Sequence, residues 1–261
     1  MKRIAMLVLS VLLAVTAVFT GCAETAGDVY RKAEEKMAGY NAIEAKIEMK
    51  TVITTAELEE PINTEMKYTV KTGDMKGDNP VAYADIVMTL LGRNMGITSY
   101  AEGDYVYVSL MGEGIKVPAD SATASSYSGA DVIDGYLLDM PDEMLESVEL
   151  TETEDGASIL SFSFDGDEYS EILEGITAGV MSGIASDMEG YEISIGQVSY
   201  VMTVEKDSDI KKIALTMDMD IGFGGQTMNA EVEAVIEYVA FDDDVKITPP
   251  EGYLDFPEVD E

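Results

Sequence analysis

Few residues of this chain have the types and the spacing that catalysis requires. Histidine is absent, which excludes a Ser-His-Asp triad, an imidazole zinc site and the commonest general base near neutral pH. Ser182 lies in the sequence Gly179-Val-Met-Ser-Gly183, whose spacing differs from the Gly-x-Ser-x-Gly of a nucleophile elbow. We therefore expect that the protein is not an enzyme and that it uses no cofactor.

Two acidic clusters contain the carboxylate oxygens that calcium prefers as ligands. One cluster comprises Asp165, Asp167 and Glu168, and the other covers residues 242–244. Neither follows the EF-hand loop, which needs a central glycine and a terminal glutamate at fixed spacing. Because 51 of the 261 residues are acidic, such clusters are expected on any solvated surface of this chain. We predict no metal site.

Cys22 is the only cysteine, and the residues before it predict its chemical role. Lys2 and Arg3 precede an apolar run over residues 4–19, which is too short for a comfortable membrane span and suits a secretory signal. The sequence Phe-Thr-Gly-Cys at 19–22 resembles a bacterial lipobox, in which the cysteine is acylated and becomes the new N-terminus. The alternative is an ordinary cleaved signal that leaves Cys22 as a free thiol.

This N-terminal pattern predicts that the protein is attached to a membrane. We expect a lipoprotein signal peptide at residues 1–21, a lipidated N-terminus with a short tether at 22–27, and a lipid on Cys22 that holds the protein on the extracytoplasmic face of the cell membrane. The formal net charge of −35 opposes binding to nucleic acid or to an anionic membrane surface. No nucleic-acid partner is expected, and the membrane contact is expected through the lipid.

Two helices are predicted from capping residues and apolar periodicity, and short helices are predicted over residues 128–144, where Pro141 suits a first helical position. Thr25 and Asp28 have the spacing of a capping box, and the apolar residues that follow at steps of four predict a helix directly after the tether. A longer helix is predicted after Asp167, its expected N-cap, with Ile176 and Val180 in its apolar stripe.

Strict alternation of apolar and polar residues predicts strands over most of the remaining chain. Leu215, Met217 and Met219 fall on one side of a predicted strand, whereas Thr216 and Asp218 fall on the other. The pattern recurs about ten times, and its longest runs cover residues 191–205, 210–223 and 228–241. We assign residues 28–245 to one domain and 246–261 to an acidic, proline-rich tail that we expect to be weakly structured.

The predicted sheet is too wide for the predicted helices to cover. About ten strands at ~4.8 Å spacing span roughly 45 to 50 Å, whereas one helix with its side chains covers about 10 Å. Because a soluble protein rarely exposes so large an apolar area, the sheet is expected to curl around its dry face. The predicted fold class is α+β, a large curved antiparallel sheet that forms an incomplete barrel, with helices covering the concave face.

Methionine is abundant on the predicted dry face, and its flexible side chain is suited to apolar surfaces that accept varied shapes. The chain has 17 methionines, and an ordinary packed core, a ligand cavity and a partner surface would all account for them. The ligand-binding candidates are the apolar residues of this face and of the long helix: Met49, Met88, Leu90, Met202, Leu215, Met217, Met219, Met228, Ile176 and Val180.

The layout as a whole resembles a known group of proteins. A lipobox, a first helix, Met-rich alternating strands, a central helical segment and the stretches "VELTETEDGASILSFSFDGDEYSEIL" and "VSYVMTVEKDSDIKKIALTMDMDI" resemble uncharacterised Met-rich lipoproteins of Gram-positive bacteria. Those proteins are similar in fold to the LolA, LolB and LppX group of lipid and lipoprotein carriers. The resemblance implies a half-barrel closed by helices that holds acyl chains.

Two functions of different classes follow from these features. In the first, a membrane-anchored extracytoplasmic lipoprotein binds or carries an apolar ligand, such as a lipid or an acyl chain, in a cavity between the curved sheet and a helical lid. In the second, the core is filled, and the protein is a non-enzymatic envelope scaffold or interaction module that acts through its acidic surface.

Overall fold

A computed structural model describes residues 24–56, 60–77, 79–90, 92–110, 112–121, 137–138, 140–173 and 191–259, without the side chains of Leu90, Tyr191 and Phe223. The predicted signal peptide and Cys22 lie outside these residues, as does most of the predicted long helix. Within the described ranges, no helix is both long enough and apolar enough to cross a membrane.

In the part of the chain that the structure describes, eleven antiparallel strands form a single open sheet. They are β1 (Ile43–Thr55), β2 (Ile62–Gly73), β3 (Val81–Leu90), β4 (Arg93–Glu102), β5 (Tyr105–Leu110), β6 (Glu113–Pro118), β7 (Glu149–Glu152), β8 (Ser158–Asp165), β9 (Tyr191–Val204), β10 (Ile210–Phe223) and β11 (Gln226–Phe241). Their spatial order is β6-β5-β4-β3-β2-β1-β11-β10-β9-β8-β7, so β6 and β7 are edges and the sheet does not close into a barrel. The predicted fold class is confirmed.

One strand, β6, is not predicted from the sequence. Gly114 and Pro118 interrupt its pattern and leave only Ile115 and Val117 as alternating apolar residues. The weak local pattern is compensated by cross-strand contacts with β5, since Ile115 lies opposite Val108 and Val117 lies opposite Val106. A small apolar cluster forms there.

One face of the sheet carries almost all of the core. We call this the inner face; it includes Ile47 of β1, Val70 of β2, Leu215 of β10 and Ile236 of β11, each at most 1% exposed. The register places these residues on the same side, and the alternating residues between them form the outer face. Strands β1–β6 form the N-terminal wing of the sheet, and β7–β11 form its C-terminal wing.

Helix α1 (Ala26–Gly39) packs against the inner face and begins as the sequence predicts. The Thr25 hydroxyl accepts a hydrogen bond from the Asp28 amide, and the Asp28 carboxylate accepts one from the Thr25 amide, which completes the capping box. The residues at helical spacing are buried against the core: Val29, Tyr30, Ala33 and Met37. A second, short helix α2 (Asp142–Leu145) follows Pro141 and buries Met144 and Leu145.

Asp167 does not cap a helix, which corrects the sequence-based prediction. Residues 166–173 form turns, and the Asp167 carboxylate accepts hydrogen bonds of 2.7 Å from the Ser194 hydroxyl and the Ile195 amide on β9. The Ser194 hydroxyl, followed by the Ile195 amide, lowers the pKa of this carboxyl below its usual value. The prediction was wrong because an amide on a neighbouring strand uses the carboxylate that would have capped the helix.

The C-terminal tail is ordered against the outer face, contrary to the expectation of weak structure. We call residues 246–259 the strap, which runs from the end of β11 to the edge strand β6. The Tyr253 ring packs edge-on against Tyr100 and Tyr107, with centroids 5.2 and 4.8 Å apart. Beyond it, Lys116 of β6 donates its amide to the Pro257 carbonyl at 2.9 Å. The division into a domain at 28–245 and a tail at 246–261 stays a prediction.

The strap packs against β6 at Gly114, which has no side chain. A Cβ atom added to Gly114 would lie 2.4 Å from the Phe256 ring, so the ring occupies the space that any other residue would fill. The Lys116 ammonium lies 3.4 Å from the Glu258 carboxylate, and the Val259 amide donates to the Lys116 carbonyl at 3.1 Å. The strap thereby pairs with a strand edge that would otherwise be open to association.

We predict that Gly114→Ala displaces the strap and lowers the free energy of unfolding by about 1 to 2 kcal/mol, because the added methyl group overlaps the Phe256 ring. Urea denaturation measures the change. Gly96→Ala is the matched control, since a Cβ at that strand position meets no atom within 4 Å. In the Phe256→Ala background, Gly114→Ala should cost little; an undiminished cost there would contradict the assignment of Phe256 to this space.

Candidate apolar ligand site

The inner face of the C-terminal wing is a filled core. Leu215, Met217 and Met219 of β10 are 1%, 2% and 1% exposed, which confirms the one-sided burial predicted from their alternation. They belong to the same apolar cluster as Val29 and Met37 of helix α1. The methionines of β10 therefore pack against neighbouring apolar side chains within the core.

The other ligand candidates differ in their burial, and some of them are not described. Met49 and Met202 are in the same core at 1% and 0% exposure, whereas Met88 and Met228 are half-buried at its margin. Leu90 ends β3, where its side chain is not described. Ile176 and Val180 lie outside the described residues. The binding role of all ten candidates stays a prediction.

A second part of the inner face is only partly covered. On strands β2–β5, six apolar side chains retain solvent contact; we call them the open inner face: Tyr68, Ile86, Met88, Met95, Ile97 and Leu110. Met95 and Leu110 are 38% and 49% exposed. Both residues contrast with the methionines of β10, which are buried.

The strand register makes the open inner face continuous. Ile86 lies opposite Tyr68 on one side and Ile97 on the other, and Ile97 in turn lies opposite Leu110. This row crosses four strands, or roughly 15 Å at ~4.8 Å per strand spacing. Met88 and Met95 pair in the adjacent row. The result is a contiguous apolar surface that an extended alkyl group could contact along its length.

Of the residues of this surface, only Met88 is among the ligand candidates predicted from the sequence. Ile86, Met95 and Ile97 were assigned to strands, but alternation alone does not distinguish a covered apolar residue from an open one. A weak signal did exist in the composition. Residues 86–98 contain no acidic residue, although acids make up 51 of the 261 positions.

Polar groups are sparse on this part of the inner face. Burial raises the pKa of the half-buried Tyr68, whose hydroxyl donates to the Met66 sulfur at 3.2 Å. Arg93 begins β4 on the same side as Met95 and is exposed. Among residues 86–98 it is the one charged side chain. The open inner face therefore has the character of a hydrophobic binding surface with a polar margin.

Ser99 is a buried polar residue at the covered end of this surface. It is 1% exposed and lies between Ala84 and Val108 on the inner face. Its Oγ makes no hydrogen bond to any residue in the described part of the chain. A buried hydroxyl without a partner lowers stability, and such a group is often a place where a water molecule or a ligand supplies the missing bond.

A buried tyrosine cluster fixes helix α1 over the filled wing. Burial, followed by the neighbouring Tyr30 and Tyr238, raises the pKa of Tyr200 well above its usual value. The Tyr30 hydroxyl donates a hydrogen bond to the Leu138 carbonyl, which connects the helix to the segment before α2. This buried arrangement supports the core.

Comparison with known proteins gives a family for the chain. A model described as a family of unknown function, DUF6612, matches residues 25–255. The chain belongs to this family. No curated protein matches the sequence.

Several solved structures are similar to this DUF6612 member in layout. They include LprF from Mycobacterium bovis, with 12% identity, a TM-score of 0.40, and coverage of 87% of this chain and 97% of that one. Rv2717c from M. tuberculosis has 7% identity, a TM-score of 0.26 and coverage of 80% and 98%. A putative outer membrane lipoprotein-sorting protein domain from Vibrio parahaemolyticus has 10% identity, a TM-score of 0.25 and coverage of 85% and 95%. Because these scores and identities are low, the function has to be inferred from the residues of this chain.

We predict that Ser99→Ala raises the free energy of unfolding of this DUF6612 protein by about 1 kcal/mol, because it removes a buried hydroxyl that has no described partner. Urea denaturation of the purified protein measures the change in the free energy of unfolding. Ser109→Ala on the outer face of β5 is the control and should have little effect. A loss of stability in Ser99→Ala would show instead that the hydroxyl has a bound partner.

Proposed function

We propose that this protein is a lipid-anchored protein of the extracytoplasmic membrane face that binds or carries an apolar ligand, a lipid or an acyl chain, on the open inner face. One observation carries the proposal: apolar side chains on strands β2–β5 remain accessible, with Met95 38% and Leu110 49% exposed, on the same face that is filled elsewhere. Contiguous exposed apolar surface marks interaction sites in soluble proteins.

The chemistry of this surface favours an alkyl group over a polar ligand. Its residues have aliphatic, thioether or aromatic side chains, and methionine accommodates varied apolar shapes. An acyl chain that buries six methylenes there would gain about 5 kcal/mol, at ~0.8 kcal/mol for each methylene. The unpartnered Ser99 hydroxyl lies on the same face of β4, two residues from Ile97, and could bond a polar group of the ligand.

The second candidate function is a filled-core scaffold or interaction module, and the packing of the C-terminal wing favours it. Met217 and Met219, the residues that first suggested a cavity, are 2% and 1% exposed within a continuous core. In this alternative the acidic outer surface would contact a protein. Photo-crosslinking in cells separates the two functions, since a carrier captures lipid and a scaffold repeatedly captures one protein.

We expect the wild-type protein to bind a fluorescent long-chain fatty acid, and Met88→Glu or Ile97→Glu to weaken that binding at least tenfold, because a carboxylate on the open inner face would be desolvated by the alkyl chain. Fluorescence titration measures the affinity. Val239→Glu introduces the same charge at a residue that is 46% exposed at the opposite end of the strands, and it should leave the affinity unchanged. Absence of uptake by the wild-type protein would contradict the carrier function.

The proposed anchor makes a separate prediction. In cells that express the full chain and are fed radiolabelled palmitate, the protein should incorporate label and fractionate with membranes. Cys22→Ser should abolish both, because the thiol is the acylation site of a lipobox and the chain has no other cysteine. Labelling that persists in Cys22→Ser would contradict the proposed attachment site.

A further inference from the structure

Four methionines lie side by side across the inner face of the N-terminal wing. Met49 of β1 lies opposite Met66 of β2, Met66 lies opposite Met88 of β3, and Met88 lies opposite Met95 of β4. We call these four residues the methionine row. Directly opposite residues on antiparallel strands have Cβ atoms about 4.5 to 5.5 Å apart, so each thioether lies within reach of the next.

Solvent exposure rises along the methionine row from the core to the open inner face. Met49 and Met66 are 1% and 4% exposed, Met88 is half-buried, and Met95 is 38% exposed. A dissolved reagent therefore reaches Met95 without any opening of the sheet, whereas the β1 end of the row is closed to it.

Met75 is also exposed, and it lies far from the open inner face. It follows the end of β2, is 39% exposed, and accepts a hydrogen bond of 2.9 Å at its sulfur from the Thr72 hydroxyl. Thr72 lies six residues along β2 from Met66, or roughly 20 Å at ~3.3 Å per residue. Met75 and Met95 are therefore methionines of equal exposure in different places, and only Met95 borders the proposed ligand surface.

A thioether that is open to solvent reacts with hydrogen peroxide. The sulfur lone pair attacks one peroxide oxygen, and the S–O bond forms as the O–O bond breaks. The departing hydroxide takes the proton from the oxygen bound to sulfur and becomes water, so the sulfide loses a pair of electrons and the peroxide is reduced. Hydrogen peroxide is uncharged, and the net charge of −35 does not oppose its approach.

We propose that Met95 is a site of oxidation to methionine sulfoxide, and that its oxidation weakens ligand binding at the open inner face. The inference rests on the proposed function, since it concerns the ligand of the same surface. Oxidation replaces an apolar thioether by a polar sulfoxide directly beside Met88. An alkyl chain that covers Met95 would then have to desolvate the sulfoxide oxygen, which lowers the affinity.

The test uses the full chain with Cys22→Ser, so that no thiol consumes the oxidant. The folded protein is treated with limiting hydrogen peroxide, and peptide mass spectrometry locates the sulfoxides. We expect Met95 and Met75 to react first, and the buried Met49 and Met217 to react at least tenfold more slowly than Met95. Affinity for the fluorescent fatty acid should fall at least fivefold, and methionine sulfoxide reductases A and B together should restore it.

Met95→Leu and Met75→Leu are matched variants, because the two methionines are 38% and 39% exposed. Before oxidation, both variants should bind the fatty acid as the parent protein does. After oxidation, Met95→Leu should change in affinity less than twofold, whereas Met75→Leu should lose affinity as the parent does. Met95→Gln places a polar amide at the same position and should lower the affinity without any oxidant. Thermal unfolding verifies that each variant is folded.

Three results would overturn the proposal: sulfoxide at the buried methionines as early as at Met95, unchanged affinity in protein whose Met95 is fully oxidised, or an equal loss of affinity in oxidised Met95→Leu. The last would assign the effect to another methionine. Failure of the proposed function gives a different result, since the protein would then not bind the fatty acid even before oxidation. The order of oxidation is measured without ligand and tests the modification site in either case.

Discussion

The pairing of β1 with β11 is the contact on which the rest of the structure depends. All 13 residues of β1 pair with β11, and this pairing joins the two wings into one sheet. Helix α1 directly precedes β1, and Tyr40, which follows the helix, stacks on Phe241 of β11 at 4.2 Å. The helix lies over the C-terminal wing, where Lys36 forms an ion pair of 2.7 Å with Asp209 at the turn between β9 and β10. The open inner face lies on the other wing, although Val106 of β5 is buried there.

The two edges of the sheet are protected by different means. At β6 the strap supplies backbone partners and places Phe256 over Gly114, so the strand that a neighbouring molecule could extend is already paired. At the other edge, β7 has only four residues, Glu149–Glu152, and two of them are glutamates. Short length and charge both disfavour pairing between copies. The strap thus has a structural role that the acidic, proline-rich composition of the tail did not suggest.

The sequence predicts the strands well because each one has a buried and a solvated face, and a period of two records that difference directly. It predicts α1 from Thr25 and Asp28, whose reciprocal bonds are local. It does not predict features that depend on contacts between residues far apart in the sequence. The Asp167 carboxylate bonds β9, 28 residues away, and β6 is stabilised by its pairing with β5. The difference between the buried Met217 and the exposed Met95 has the same origin, since both occupy apolar positions of alternating strands and only their tertiary surroundings distinguish them.

The strong negative charge is compatible with an exposed apolar surface. The outer face carries cross-strand ion pairs, such as Lys67 with Glu48 and Lys212 with Glu237, but acidic residues outnumber basic ones 51 to 16. Repulsion between copies opposes their close approach, because salt screens it only beyond the Debye length, about 8 Å at physiological salt. A neutral lipid experiences no such repulsion. The apolar surface alone would not distinguish a second copy of the chain from an uncharged amphiphile. The net charge distinguishes them, because it disfavours self-association and does not oppose contact with an uncharged amphiphile.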